Sequence, residues 1–289
     1  MARNIVITGA SSGIGRALAL HYAKKGVTLG LLGRHQQRLD DVAMACREGG
    51  AVVSTALIDV RSSAQLEAWL VAFDAATPID LLFANAGIMG GAPPGADLEI
   101  PEIGRALIET NVIGVLNTVY AVMPRMVERR AGQIAIVSSL AGLTPVPDAP
   151  SYGASKAAVL SIGLALRSLV YKSGVKVNVV CPGYVLTPMT AQEHGQKPFL
   201  ISAERAAELI ANGLDRDKSI IALTPGLVVM RTASATVSGD SVLLTIYGEV
   251  GEPPKVATIH IPMPIRETEE LVASLQTAIS EASKNSHGA

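Results

Sequence analysis

One stretch near the start of the chain narrows the possible folds most. The apolar run Asn4–Thr8 is followed at once by Gly9-Ala10-Ser11-Ser12-Gly13-Ile14-Gly15 and then by the helical pattern Arg16-Ala17-Leu18-Ala19-Leu20. In that order, strand, glycine-rich turn and helix put the unpaired N–H groups and partial positive charge of a helix N-terminus at a turn. Its glycines let a pyrophosphate approach the backbone closely. Tight turns also use glycine for their own sake, so the reading leans on the strand before and the helix after. It makes Gly9, Ser11, Ser12, Gly13, Ile14 and Gly15 candidate phosphate-cradle residues. Composition agrees: apolar residues are 49% of the 289 and aromatics only 3%, so the core is built from Ala, Val, Leu and Ile. That usage suits helices packed on a buried parallel sheet.

The next strand, Thr28–Leu32, ends in Gly33-Arg34-His35 with no acidic residue. Dinucleotide folds that select NAD place an Asp or Glu there for the ribose 2′-hydroxyl, whereas an arginine suits the 2′-phosphate of NADP. Arg34 can offer that phosphate forked, charge-assisted hydrogen bonds, or can simply begin a solvated helix. A third strand, Val52–Ile58, runs into Asp59-Val60, and a fourth, Asp80–Phe83, into Ala84-Asn85-Ala86-Gly87. Both ends fall where an adenosine would lie if the first strand holds the pyrophosphate. Asp59 can accept from the adenine amino group or cap the helix starting near Ser62. A long helix is expected over 103–129. Asn111 inside it competes for backbone groups and suggests a kink that frees a carbonyl to hold water, unless it is a tolerated surface residue.

Further on, Ser139 follows the buried-strand run Gln133-Ile134-Ala135-Ile136-Val137, and Ser151-Tyr152-Gly153-Ala154-Ser155-Lys156 opens a helix. Residues four apart share a helix face, so the Lys156 ammonium lies beside the Tyr152 phenol. A nearby cation favours the phenolate, which makes tyrosine a usable general acid/base.

Together, Thr8-Gly9-x-x-x-Gly13-Ile14-Gly15, Asn85-Ala86-Gly87, Asn111, Ser139, Tyr152-x-x-x-Lys156 and Pro182-Gly183-x-x-x-Thr187 resemble the short-chain dehydrogenase/reductase family over about residues 4–225. The resemblance implies a doubly wound parallel sheet of seven strands, order 3-2-1-4-5-6-7, binding NAD(P)(H) and moving hydride to or from a carbonyl carbon. It implies Tyr152 as proton donor in reduction, and Lys156 as the residue that lowers its pKa and binds the nicotinamide ribose. By the same likeness Ser139 bonds the substrate oxygen and Asn111 anchors a relay water. Thr187, with the backbone after Pro182-Gly183 that includes Val185, holds the carboxamide. The sequence departs from the family at Ala84, where many members have a second asparagine, and at Ser12, where several NADP-preferring members have a basic residue. It also lacks an Asp-Gly-Gly ending after the last strand expected, Lys218–Leu223. Cofactor choice therefore rests on Arg34, with NADP(H) expected over NAD(H).

From about Val229 the pattern changes to three strands, near 232–237, 241–247 and 256–261, and a helix over 267–282. The expected domains are 1–228, catalytic, and 229–289, a small β-meander-plus-helix appendage. Basic and acidic residues number 24 and 25, a net charge of −1, which gives no electrostatic reason for a nucleic-acid partner. Cys46 and Cys181 are far apart, and His21, His35, His194, His260 and His287 are scattered, so no metal site is expected. Met1-Ala2-Arg3-Asn4 runs straight into a strand, and apolar runs such as 112–123 fall short of the roughly 18 residues needed to span a bilayer, so a cytoplasmic protein is expected. The functional expectation is a ketone/secondary-alcohol oxidoreductase acting on a small molecule. Its two long helices resemble those that pair across a twofold axis in the family, so a homodimer or homotetramer is expected. A cofactor-sensing scaffold working through the appendage is the alternative, and a nucleotide-sugar epimerase would need a larger substrate domain.

Overall fold

The structure is a computed structural model; it describes residues 3–93, 95–192 and 197–223, and the backbone of 232–238, 241–248 and 255–262. The chain divides into two compact units, 1–223 and 224–289.

The first unit begins with β1 (Asn4–Thr8), α1 (Gly13–Tyr22), β2 (Thr28–Gly33), α2 (Gln36–Glu48), β3 (Val52–Leu57), α3 (Ser63–Ala76) and β4 (Leu81–Ala84). Then come α4 (Pro101–Ile108), one π-helical turn (Glu109–Ile113), α5 (Gly114–Glu128), β5 (Gly132–Val137), α6 (Pro150–Leu169) and β6 (Val175–Cys181). A two-residue pair, β7 (Val185–Leu186) and β8 (Ile201–Ser202), precedes α7 (Ala203–Asp215) and β9 (Ile220–Ala222). Seven strands form one sheet in the order β3-β2-β1-β4-β5-β6-β9, and every pairing is parallel. This is the order expected from the resemblance. The small β7–β8 pair stands apart from it and was not foreseen.

Both faces are covered, and the strands show why. Side chains alternate across a strand, so Ile5 and Ile7 enter one apolar cluster with Leu18, Leu39, Val42 and Ile210 of α1, α2 and α7. Val6 enters the other, with Leu66, Leu70, Val119 and Val159 of α3, α5 and α6. Helices on both faces and strands apolar on both sides make the doubly wound arrangement. The helical stretch Pro101–Glu128 is, by length and composition, apolar enough to cross a membrane, unlike what its separate runs suggested. Its apolar face lies on the sheet instead: Leu107, Val115, Val119, Val122 and Met126 are buried.

In the second unit, β10 (Thr232–Ser238), β11 (Ser241–Gly248) and β12 (Lys255–Pro262) form an antiparallel meander. The helix expected at 267–282 lies outside the described residues.

Candidate active site

The carboxyl ends of the strands bring the candidate residues together. Gly9 and Gly13 have φ of +68° and +54°, where glycine alone is unstrained. A methyl group on Gly9 would lie 2.8 Å from the Ala86 Cα, and one on Gly15 would collide with the Gly9 carbonyl. The Asn85 amide donates to the Thr8 and Gly9 carbonyls at 2.9 and 3.3 Å. The buried Thr8 hydroxyl donates to Phe83 O and accepts from the N–H groups of Asn85 and Ala86, all at 3.1 Å. These bonds lock β1 to β4 beneath the turn. Ser12 holds the N-cap position of α1 without a side-chain capping bond, so the helix start is open to an anion. Ser11 packs against Gly33 at the end of β2, and Gly13 faces the Thr187 methyl. A pyrophosphate fits this cradle because side chains are missing where it would lie and helix N–H groups are present.

At the ends of β2 and β3 the geometry corrects one expectation. Asp59 does not cap α3; Ser62 holds the N-cap position. The Asp59 carboxylate instead accepts from the backbone N–H, Nε and Nη2 of Arg61 at 2.9, 3.1 and 2.7 Å. Arg34 touches it once, at 3.5 Å. Hydrogen bonding to the Arg61 side chain is the main cause that brings the Asp59 pKa down to about 2. Val60 is buried against Gly114, and its carbonyl accepts from Asn117 at 2.9 Å.

Where α6 meets the end of β5, Lys156 is buried and its Nζ lies 5.8 Å from the centre of the Tyr152 ring. The same ammonium donates to the Val137 carbonyl at 3.1 Å. Burial brings its pKa down to about 8, a shift partly opposed by the neighbouring Cys181 thiol. Tyr152 itself is half-buried. Asn111 is fully buried rather than a surface residue: its amide accepts from Ile88 N–H at 2.8 Å and donates to Ile88 O at 2.9 Å and Ser155 Oγ at 3.0 Å. The expected kink is one π turn, in which Gly114 N–H reaches back to Glu109 O. Gly87 sits where a methyl group would lie 3.1 Å from Asn111 Oδ1 and 3.5 Å from Lys156 Nζ. Ser139 Oγ accepts from Ala141 N–H at 3.1 Å and makes one long contact, 3.4 Å, to Pro182 O. Gly183 follows in the turn to β7, where Val185 is buried and its carbonyl takes the Thr190 hydroxyl at 2.5 Å. Ile14 packs partly buried on the α1 side of the sheet.

Two residues escaped the sequence reading. Arg61 is one. Glu99 is the other: its Oε2 accepts from the Ser151 N–H at 3.2 Å and from the Ser151 hydroxyl. α6 starts with Ala149 at the N-cap and Pro150 after it, with no side-chain cap of its own. Alanine is a poor N-cap and offers no acceptor of its own, so an acceptor for the first turn has to come from another part of the chain.

The sequence matches the short chain dehydrogenase family over residues 3–198. The chain belongs to the short-chain dehydrogenase/reductase family. This family member is an NAD(P)-dependent oxidoreductase. It is 38% identical to an uncharacterized oxidoreductase of Myxococcus xanthus over 74% of this chain and 84% of that one. A putative ketoacyl reductase of Streptomyces coelicolor is 35% identical over 71% and 80%. Among solved structures, a short-chain dehydrogenase from Sphingobium yanoikuyae in complex with NADPH superposes with a TM-score of 0.70 at 29% identity, covering 78% of this chain and 88% of that one. One from Mycobacterium paratuberculosis bound to NAD gives 0.67 at 26%, covering 76% and 94%. Relatives of this short-chain dehydrogenase/reductase thus bind both forms of the cofactor.

Proposed function

We propose that this short-chain dehydrogenase/reductase interconverts a ketone and a secondary alcohol, prefers NADPH, and uses Tyr152 as its general acid/base. The observation that carries the reading is the buried Lys156 ammonium at 5.8 Å from the Tyr152 ring, beneath Gly87 and beside the strand that ends in Ser139. When bound, NADPH supplies the hydride. The chain's part is to hold and protonate. Tyr152 gives its phenolic proton to the substrate oxygen as negative charge grows there, and the Ser139 hydroxyl, whose contact to Pro182 O is long, turns to donate to the same oxygen. Lys156 keeps two donors beyond the one used on Val137 O, which suit the hydroxyls of a ribose. Asn111 holds Ile88 and Ser155 in place beside the site. Arg34, with an exposed guanidinium at the end of β2, is the 2′-phosphate ligand.

The likeness to a putative ketoacyl reductase makes β-keto thioesters the first carbonyl class to test, followed by other ketones, with loss of NADPH absorbance as the readout. Tyr152→Phe is expected to lower kcat by a factor of about 10³, the scale of a general acid, and to leave the NADPH Kd within about twofold. An unchanged kcat in that variant would overturn the assignment.

A further inference from the structure

We infer that Arg61 determines the preference for NADPH by acting through Asp59, neutralising the carboxylate that would otherwise quench Arg34. This rests on the reading of Arg34 as the 2′-phosphate ligand. An aspartate at the end of β3, 3.5 Å from Arg34 Nη1, is a poor neighbour for such a ligand. Left alone, it would pair with Arg34, cancel its charge and repel a phosphate placed on it.

The structure shows Asp59 engaged elsewhere. A carboxylate has about four lone-pair directions. The backbone N–H and Nε of Arg61 take Oδ1, and Nε and Nη2 take Oδ2, at 2.7–3.1 Å. Arg34 has one contact, at the limit of a hydrogen bond, and its side chain is 55% exposed against 21% for Asp59. Arg61 is itself held from its other side, because Nη1 lies 3.7 Å from Glu109 Oε2 on the π turn. The low pKa of Asp59 agrees, since its charge is compensated mainly by Arg61. Arg61 therefore acts as a positioning residue whose effect is confined to the cofactor that carries a 2′-phosphate.

The test is fluorescence titration of the full chain with NADPH and with NADH, read as the ratio of the two Kd values. Arg61→Ala is expected to shift that ratio about tenfold toward NADH, the scale of one charge-assisted contact. Adding Asp59→Asn to Arg61→Ala is expected to restore the ratio to within about threefold of wild type. An unchanged ratio in Arg61→Ala, or an equal weakening of both cofactors, overturns the inference. So does a double variant that fails to recover, which would mean that Arg61 binds the phosphate directly. A wild type with no preference for NADPH defeats the reading of Arg34 itself and is seen before any variant is made. Arg61 is half-exposed and on the surface, so its loss leaves folding intact.

Discussion

Lys156 shows how a single buried charge carries a cost in the fold. Its pKa falls from 10.5 to about 8 because burial disfavours the ammonium. A depression of that size corresponds to about 3 kcal/mol against the charged form in the folded state. Between pH 8 and 10.5 the unfolded chain holds this proton and the folded chain does not, so this group adds stability as pH rises through that window. The buried thiols of Cys46 and Cys181 act in the opposite sense. Burial raises each from 9.0 to about 11, so the folded chain keeps protons that the unfolded chain loses, and stability falls above pH 9. Urea unfolding at fixed pH is therefore expected to show stability rising from pH 8 to about 9 and flattening or falling beyond. Lys156→Met, which keeps the stem and removes the charge, is expected to abolish turnover while raising Tm at pH 7 by about 2–4 °C, as seen by calorimetry. A lower Tm would mean that the bond to Val137 O outweighs the buried charge.

Among the elements, α6 has a start that is closed from another segment. Its first turn is closed by Glu99 from the loop after β4, and a methyl group on Gly104 of α4 would lie 2.8 Å from Ser151 Oγ, so α4 also crowds the same spot. Ala92 N–H adds a bond of 2.8 Å to Asp148 O just ahead of the helix. Tyr152 directly follows Ser151, the residue that Glu99 holds. Glu99→Ala is expected to cost about 1 kcal/mol in urea unfolding, the scale of a lost N-cap, and to speed amide exchange at the start of α6. Glu99→Gln, still an acceptor, should recover most of both. Equal exchange in wild type and Glu99→Ala would show that the carboxylate does not hold the helix. Glu99 was illegible in the sequence because the contact joins segments 52 positions apart. By contrast, the apolar alternation at Ile5-Val6-Ile7 and the glycines at 9, 13 and 15 are local patterns, and the first strand and the turn after it were readable from them, whereas the sheet order came from the family resemblance of the motifs taken together. Asp59 lies between these cases. Its place at the strand end was legible, but which of two arginines or a helix end would claim it depended on side-chain reach. Asn111 was marked by being the wrong residue for a helix interior; its bonds to Ile88 and Ser155 needed the fold.

For the whole molecule, the expectation is a homodimer or homotetramer. The faces of α5 and α6 turned from the sheet carry exposed apolar side chains, among them Tyr120, Val127 and Leu169. Burying such surface against a second copy removes it from water, and a twofold axis lets each patch meet its own counterpart. Light scattering at micromolar concentration is expected to give a multiple of 30.0 kDa, and Tyr120→Glu to shift it toward the monomer. A monomeric wild type would contradict this.

The strand order β3-β2-β1-β4-β5-β6-β9 reverses direction at β1. Arg34, Asp59 and Arg61, which we assign to choosing the cofactor, lie on the β2–β3 side of β1, before the chain crosses to β4, whereas Asn111, Ser139, Tyr152 and Lys156 come after that crossover. The two tasks thus occupy separate lengths of polypeptide, anchored to each other through Thr8 and Asn85. On these assignments, a lineage exchanging one nucleotide for the other would change residues near the ends of β2 and β3, with Glu109 as a brace from beyond the crossover, and could alter its substrate largely apart from that choice.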